Sequence, residues 1–489
     1  MFGRNYRWGA IKRLLICGGP PPPPHDHQVP HANQVVNESV HGAQFALESL
    51  KCESCVEENV SVCKCLENTG KLDTNLKHGT DTGGHDRQVK ADSSFAHSVI
   101  NMVGMLIGLG QLSTPYALET GGWAAALLLV GLGVACAYSS HLMGKCMKEN
   151  PKSKDYKDIG QHAFGAKGRI ISSIAIYLEV FLALVSYTIS LSDNLGMVFF
   201  GTHVSVPWLP LSTRQLLTVM AVFVALPSLR LRDLSSISFL SFGGILMSIL
   251  IFATVAWTAL FRGIQANHQI PFIRLHKIPA ISGLCIFGYA GHIVFPNIYT
   301  AMRDPSKFTK VSITSFTLVT ALYTALAFMG AKLFGPQVNS QFTLSMPCHL
   351  LVTKIALWAT VLTPMTKYAL EFAPIAMQLQ QKLPPTLTSN TKFIIRGCFG
   401  SLALLLILVL ALSLPYFQHV LALTGSLVSI AISVILPCAF HMKICWQQLS
   451  KPTVFLDVVL VALGCLLGLS GTISSSKSLI KSLARGHSA

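Results

Sequence analysis

The chain has 489 residues, of which 51% are hydrophobic and only 12% are charged, whereas about 25% of the residues of a soluble protein are charged. This composition excludes collagens, coiled coils, disordered chains and small disulfide-stabilised domains, and it provides too little polar surface for soluble domains. The net charge of +16 would suggest nucleic-acid binding on a soluble protein, but on a membrane protein it marks cytosolic loops.

The first 93 residues differ from the rest of the chain. They hold ten Lys or Arg and eleven Asp or Glu, so the positive excess belongs to the later, apolar part. Residues 1–93 contain no long apolar run, and residues 20–24 are five consecutive prolines. Such a segment cannot bury enough apolar surface to offset its chain entropy, so we predict a disordered, cytosolic N-terminal tail. The apolar patch at residues 14–17 is too short for a secretory signal, and we expect none.

Four cysteines of this tail have spacings that are compatible with zinc binding. We interpret them as reduced thiols, because no fold is predicted around them, and we expect neither a metal nor a cofactor. The sequence of the tail indicates no particular partner. The four residues are Cys52, Cys55, Cys63 and Cys65.

Apolar runs of about 20 residues recur after residue 93, and each can cross the hydrocarbon core of a membrane. We predict an all-α polytopic membrane protein with about eleven transmembrane helices in residues 94–476, followed by a short C-terminal tail at 477–489. The fourth run is the weakest, because Pro227 shortens it. The predicted spans cover residues 95–117, 122–144, 170–194, 213–229, 235–260, 279–301, 312–334, 348–370, 396–414, 418–442 and 453–475.

Lys and Arg in short loops indicate the orientation of such helices, because these residues are enriched on the cytosolic side. With a cytosolic N-terminus, eighteen Lys or Arg of residues 94–489 fall on the cytosolic side and nine on the opposite side. We therefore predict a cytosolic N-terminus, and eleven spans place the C-terminus outside or in a lumen. Because topology explains the charge excess, we expect no nucleic-acid partner.

The first predicted span is a poor continuous helix, since it contains three glycines and Pro115. Gly108 and Gly110 tolerate backbone conformations that interrupt a helix. A half-helix starting after such a break would direct its N–H groups and positive dipole at an anion. The alternative is that Gly104 and Gly108 allow two helices to pack closely, and the spacing alone does not separate these interpretations.

The sixth predicted span repeats the pattern of glycines, one ionisable residue and then a proline, from Ser282 to Asn297. Two interrupted spans that lie five apart in order are typical of an inverted five-plus-five repeat. In transporters with such repeats, the binding site lies at mid-membrane between the broken helices. The pair therefore predicts a site between the first and sixth helices.

Few ionisable residues lie within the predicted spans, and such residues are candidates for function. Glu179, near the middle of the third span, is predicted to carry a proton or, alternatively, to make a structural hydrogen bond. His292 lies beside the second break and is a second proton candidate, with a neutral histidine bonded to a carbonyl as the alternative. We interpret Lys367 as snorkelling to the cytosolic surface, and Asp193 and Asn194 as a cap or interfacial pair.

Several motifs occur in fixed order along the membrane domain. They are G-L-G-Q-L-S-T-P-Y-A-L (108–118), G-G-W (121–123), Y-K-D-I-G-Q-H-A-F-G (156–165), S-Y-T-I-S-L-S-D-N-L (186–195), G-H-I-V-F-P-N-I-Y-T-A-M (291–302), T-K-Y-A-L (366–370) and G-S-L-V-S-I (425–430). With these motifs the chain resembles the amino acid/auxin permease family of the amino acid–polyamine–organocation superfamily, and within it the plant vacuolar amino acid transporters. The resemblance covers essentially the whole membrane domain.

The resemblance implies eleven spans, a cytosolic N-terminus and a substrate site at the unwound parts of helices one and six. Backbone N–H groups after the first break would bind an amino acid carboxylate, and carbonyl groups before and within the two breaks would accept from the α-ammonium group. The substrate-binding residues predicted in this way are Gly104, Gly108, Leu109, Gly110, Ser113, Phe287, Gly288, Tyr289 and Ala290.

We therefore predict a secondary active amino acid transporter that works by alternating access in a lipid bilayer. We predict no enzyme, because the spans contain no nucleophile elbow, P-loop or metal-binding cluster. The resemblance implies coupling to protons, with Glu179 and His292 as the candidate residues, and a vacuolar membrane before a plasma membrane. Two alternatives stay open: an auxin or organic-anion carrier with the same fold, and a transporter-like amino acid sensor that signals through the tail.

Overall fold

The computed structural model describes residues 93–202, 211–225, 234–262, 268–347, 349–382, 384, 388–414 and 416–486. The predicted disordered tail, with its four cysteines, lies outside these residues except for Ser93. Over the described ranges the chain is helical, and its extended pairing is limited to two isolated bridges, Ser93 with Met302 and Gly122 with Ile273. The predicted all-helical fold class is confirmed.

The helices follow the predicted spans, but the first and sixth spans each form two short helices. The first pair is bent by 59° at its break. The helices are α1 (Phe95–Leu106), α2 (Gly110–Gly121), α3 (Trp123–Glu149), α4 (Tyr156–Val198), α5 (Thr213–Ala225), α6 (Leu234–Arg262), α7 (Ile278–Phe287), α8 (Phe295–Ala301), α9 (Phe308–Phe334), α10 (Leu351–Lys382), α11 (Ser389–Ser413), α12 (Phe417–Ile444) and α13 (Lys451–Gly486).

Seven helices in the described part of the chain are long and apolar enough to cross a membrane, and the bent pair of α1 and α2 makes an eighth candidate. α5 has only 13 residues, and α7 and α8 have 10 and 7 residues. α10 is long, with 32 residues, but it is not among the seven. The predicted count of eleven spans and the five-plus-five repeat stay predictions.

Helix α4 begins well before its predicted span. The Asp155 side chain accepts a hydrogen bond from the Asp158 N–H at 2.9 Å, and the Asp158 side chain accepts from the Asp155 N–H. This reciprocal capping stabilises a helix start at Tyr156. The chain then kinks at Gly165, whose φ of +62° is strained for any other residue. A short segment therefore precedes the transmembrane part of α4.

Close backbone contact joins α7 to α12 behind the second break. A Cβ atom added to Gly283 would lie 1.9 Å from the Ala422 carbonyl oxygen, and one added to Gly425 would lie 1.8 Å from the Gly283 carbonyl oxygen. Only glycine at both positions permits this approach. The residues 425–429 and 431–435 of α12 adopt π-helical turns, which often occur at functional sites. α7 is thus fixed against α12 while its C-terminal end remains at the break.

A buried polar cluster joins α3, α12 and α13 away from the breaks. Asp457 has no exposed surface, and its carboxylate accepts from the Tyr138 hydroxyl at 2.8 Å and lies 2.7 Å from His441 Nδ1. A buried carboxylate needs such partners to offset the loss of hydration. The sequence analysis did not identify this ionisable residue of the last span.

Candidate functional site

The two breaks meet at the centre of the bundle. α1 ends at Leu106 and α2 begins at Gly110, while α7 ends at Phe287 and α8 begins at Phe295. A Cβ atom added to Gly110 would lie 2.3 Å from Gly288 Cα, so the two unwound backbones are in direct contact. The structure therefore brings the two sequence-predicted breaks together.

A small enclosed cavity of about 40 Å³ lies where the breaks meet. That volume holds water molecules but not an amino acid, since one water needs about 10–15 Å³ by the same measure. Six of the predicted site residues line it, and these are Gly108, Leu109, Gly110, Glu179, Phe287 and Ala290. Met105, Leu106, Val180, Ala183, Tyr187, Gly291, Ile293, Val294, Glu371 and Ile432 complete the wall.

Five other predicted residues lie near the breaks but do not line the cavity. The carbonyl oxygens of Gly104 and Gly288 accept hydrogen bonds from side chains of other helices. The Tyr289 hydroxyl donates to Thr320 Oγ1 at 3.1 Å. The Ser113 hydroxyl is buried and has no partner among the described residues. These residues support the backbone around the cavity, and the fifth, His292, is described below.

Tyr323 on α9 connects the two breaks. Its buried hydroxyl lies 2.9 Å from the Leu106 carbonyl oxygen and 3.0 Å from the Gly288 carbonyl oxygen. These carbonyl groups belong to the interrupted ends of α1 and α7, where intrahelical partners are lost. A single phenol thus satisfies backbone groups of both breaks. The sequence around Tyr323 is apolar and helical, and nothing in it indicates that this residue contacts both breaks.

Lys367 on α10 contacts the first break. The residue is only 1% exposed, and its Nζ atom donates to the Gly104 carbonyl oxygen at 2.7 Å and approaches the Met105 carbonyl oxygen at 3.4 Å. The interpretation of Lys367 as a snorkelling residue is therefore wrong. An ammonium group suits this position, because the C-terminal end of α1 has unpaired carbonyl groups and the negative end of the helix dipole.

Two carboxyl groups line the cavity from two neighbouring helices. Glu179 on α4 is buried, its Oε1 atom accepts from Ser429 Oγ at 2.7 Å, and its Oε2 atom has no partner among the described residues. Glu371 on α10 also lines the cavity. The sequence analysis missed it, because the predicted eighth span ended at residue 370. Its position one turn after Lys367 was the available signal, since residues four apart share a helix face.

His292 is fully buried but faces away from the cavity. Its Nε2 atom lies 3.0 Å from Ser139 Oγ and 3.2 Å from the Cys136 carbonyl oxygen, both on α3. This geometry matches the alternative in which a neutral histidine is bonded to a carbonyl group. Its Nδ1 atom has no partner in the described part of the chain, and its role as a proton carrier stays a prediction.

Asp193 and Asn194 belong to a hydrogen-bonded network at the end of α4. Gln341, in the loop after α9, accepts from Asn194 Nδ2 at 2.8 Å and donates to Asp193 Oδ2 at 2.9 Å. Arg214 on α5 lies 3.3 Å from Asp193 Oδ1. The pair therefore ties a loop and a neighbouring helix to α4, and Asn194 is fully buried rather than interfacial.

The cavity offers complementary groups to a zwitterion. α2 starts at Gly110 without a side-chain cap, so its first-turn N–H groups and dipole suit a carboxylate. Unwound carbonyl groups and the two carboxyl groups suit an ammonium group. Among the described residues, no group of three or more His, Cys, Asp or Glu is arranged to hold a metal ion.

Comparison with known proteins shows what the chain is similar to. A family model described as "transmembrane amino acid transporter protein" matches residues 91–477. Amino acid transporter AVT1H of Arabidopsis thaliana is 57% identical over 89% of this chain and 99% of its own length. Amino acid transporter AVT1D of the same plant is 39% identical over 79% of this chain and 70% of its own.

The fold also resembles that of a solved transporter. The crystal structure of a manganese transporter from Eremococcus coleocola superposes with a TM-score of 0.51 and 10% identity, over 83% of this chain and 95% of that one. At this identity the likeness concerns the fold alone. The family match and the identities to the plant relatives go further, and the chain belongs to the transmembrane amino acid transporter family, the amino acid/auxin permeases.

Proposed function

We propose that the chain is a proton-coupled secondary transporter that moves amino acids by alternating access. The observation that carries this proposal is the cavity between the two breaks, where Gly108, Leu109 and Gly110 of the first break face Phe287 and Ala290 of the second. The substrate α-carboxylate binds at the N-terminus of α2. Carbonyl groups of the unwound segments accept from its α-ammonium group.

Alternating access is supported by the size of the cavity. At about 40 Å³, the cavity must expand before it holds an amino acid, so binding requires α1 and α2, or α7 and α8, to move. The unwound segments supply hinges for such a movement, because chain breaks absorb large changes in φ and ψ. Tyr323 and Lys367 hold the breaks in the closed arrangement seen here.

Proton coupling is supported by the charges near the cavity. Glu179 and Glu371 face it, and Lys367 is the neighbouring cation. Two carboxylates and one ammonium group leave one negative charge in a low-dielectric environment, where an uncompensated charge is costly. A proton on one carboxyl group removes that charge. We propose Glu179 as the proton carrier, because its Oε2 atom has no partner among the described residues.

The resemblance to plant vacuolar amino acid transporters favours the vacuolar membrane as the location, with a cytosolic N-terminus. The plasma membrane is the second candidate. In a vacuolar membrane, proton coupling permits either antiport of amino acids into the lumen or symport out of it.

Uptake into proteoliposomes tests the proposed function. We expect at least one labelled neutral, acidic or basic amino acid to accumulate when a pH gradient is imposed, and a protonophore to abolish this accumulation. Indole acids serve as the comparison, because a carrier of organic anions would take them up instead. Accumulation that the protonophore does not reduce would contradict proton coupling. If no neutral, acidic or basic amino acid is transported, the proposal is refuted.

Replacing Glu179 with glutamine tests the proton carrier. The amide keeps the size of the side chain and can still bond to Ser429, but it cannot be protonated in the physiological range. We therefore expect uptake by the variant to become independent of pH, while binding of substrate is retained. Glu371→Gln is the comparison at the other carboxyl group of the cavity, and uptake by that variant is expected to keep its dependence on pH. If Glu179→Gln keeps the wild-type pH profile, Glu179 has only the structural role of its hydrogen bond.

Replacing Tyr323 with phenylalanine removes the hydroxyl that bridges the breaks and keeps the ring. A neutral hydrogen bond contributes about 0.5–1.5 kcal/mol, so we expect amino acid uptake to fall by about two- to tenfold. Tyr299→Phe on α8 is the control, because that half-buried ring packs against Phe308 away from the cavity. Equal uptake by the two variants would show that the bridge does not support transport.

A further inference from the structure

A large apolar groove runs along the outer surface of the bundle between α3 and α9. Its volume is about 1070 Å³, at the upper end of the ~300–1,000 Å³ range of small-molecule sites. Small residues form its floor and larger, exposed side chains form its rims. The floor includes Gly133, Ala137 and Ala325, and the exposed residues that line the groove include Val134, Ile313, Ala321 and Phe328.

The groove has the length of one membrane leaflet. Its lining on α3 extends from Val130 to His141, twelve residues that together rise about 16 Å in an α-helix. The hydrocarbon core of a bilayer is about 30 Å thick, so the groove spans about half of it. A single acyl chain lying along the bundle fits this length.

The two ends of the groove differ in polarity. At one end, His141 Nδ1 lies 2.8 Å from Thr309 Oγ1. Two exposed lysines lie close by in the sequence: Lys145 is one helical turn after His141, and Lys310 directly follows Thr309. At the other end, Val130 and Phe328 are apolar. The predicted topology places the lysine end at the cytosolic surface, where anionic lipids attract basic side chains.

The floor of the groove touches the second break. Thr320 lines the groove and accepts a hydrogen bond from the Tyr289 hydroxyl at 3.1 Å. Tyr289 lies in the unwound segment between α7 and α8. A Cβ atom added to Gly133 would meet both Thr320 Oγ1, at 2.4 Å, and the Tyr289 hydroxyl, at 3.1 Å. A molecule bound in the groove would therefore contact Thr320, whose hydrogen bond with Tyr289 supports the candidate site.

We propose that this groove binds one anionic glycerophospholipid of the cytosolic leaflet. One acyl chain lies between α3 and α9, and the phosphate lies beside Lys145 and Lys310. Through Thr320 and Tyr289 the bound lipid braces the second break, so its occupancy modulates transport. The site is distinct from the cavity between the breaks, because the two share no lining residue.

Photolabelling of the full chain in nanodiscs tests the proposal. The nanodiscs contain phosphatidylcholine and a small fraction of phosphatidylserine with a diazirine on its acyl chain. We expect labelled peptides to concentrate in residues 130–141 and 309–328. Ala321→Phe places a bulky ring among the residues that line the groove and is expected to lower this labelling by about tenfold. Leu318→Phe, at an exposed position of the same helix that does not line the groove, should leave it unchanged.

The headgroup preference is tested separately and does not depend on the packing variants. Replacing both Lys145 and Lys310 with glutamine is expected to reduce the preference for phosphatidylserine over phosphatidylcholine by roughly thirtyfold. Glutamine at Lys167 and Lys451, which are exposed on other helices, is the control and should keep the preference. Labelling spread evenly over all lipid-facing helices, equal labelling by both headgroups, or equal labelling of the Ala321 and Leu318 variants would overturn the proposal.

Discussion

Gly110→Ala is expected to lose nearly all amino acid uptake while the protein remains in the membrane. The added methyl group would lie 2.3 Å from Gly288 Cα and 2.9 Å from its nitrogen, both backbone atoms. Neither atom can rotate away, so the breaks must separate. Overpacking of this kind costs about 1–3 kcal/mol or more, and because it displaces the backbone N–H groups that bind the carboxylate, substrate affinity is expected to fall by about five- to 150-fold.

Two other glycines provide a graded control for this result. At Gly108, the added methyl group would meet the Tyr187 hydroxyl at 2.9 Å, the tip of a side chain that can shift, so Gly108→Ala should have a smaller effect. At Gly131 on α3, nothing lies within 4 Å, and Gly131→Ala should behave as the wild type. Binding of a labelled amino acid and proteoliposome uptake measure the series. Wild-type binding by Gly110→Ala would contradict the placement of the site at the contact between the breaks.

Lys367→Met is expected to reduce both transport and thermal stability. The substitution leaves the carbonyl groups of Gly104 and Met105 without their ammonium donor. An unsatisfied buried polar group costs about 1–3 kcal/mol, and in a membrane no water replaces the lost donor. The loss of the cation also leaves Glu371, one turn further along the same helix, without its neighbouring positive charge. We expect uptake to fall by about five- to 150-fold.

Lys354→Met is the matched control, because Lys354 is exposed on the same helix. Lys367→Arg keeps the charge and should recover part of the stability. The midpoint of thermal unfolding of the purified protein and the uptake rate are the two measurements. If Lys367→Met and Lys354→Met have the same unfolding midpoint and the same uptake rate, the contact between Lys367 and the first break contributes neither to stability nor to transport.

The breaks could be predicted from the sequence because their signal is local. Gly108, Gly110 and the glycines before Pro296 interrupt helix formation within a few residues, and the structure places both interruptions in contact. Phe287 and Ala290, which the family resemblance implied as substrate-binding residues, line the cavity between the breaks, and their role in binding stays a prediction. The glycines and prolines do not indicate which carbonyl groups of the breaks already accept hydrogen bonds. In the structure, the Gly104 carbonyl group accepts from Lys367 and the Gly288 carbonyl group accepts from Tyr323.

The partners of the breaks could not be predicted, since they come from distant parts of the chain. Tyr323 lies in an apolar helix where any aromatic residue would suit the lipid or the core. Lys367 stood near the predicted end of its span, where lysines commonly snorkel, but α10 continues to Lys382 and buries it. Asp457 was overlooked for a similar reason, because its partners Tyr138 and His441 become visible only when α3, α12 and α13 pack together.

A structure determined with a transported amino acid bound is the most direct test of the central claim. We expect the amino acid in an enlarged cavity between the two breaks, with its α-carboxylate at the N–H groups of Gly108 to Gly110 and its side chain beside Phe287 and Ala290. An ordered amino acid elsewhere in the bundle, with the two breaks still in contact as they are here, would contradict it.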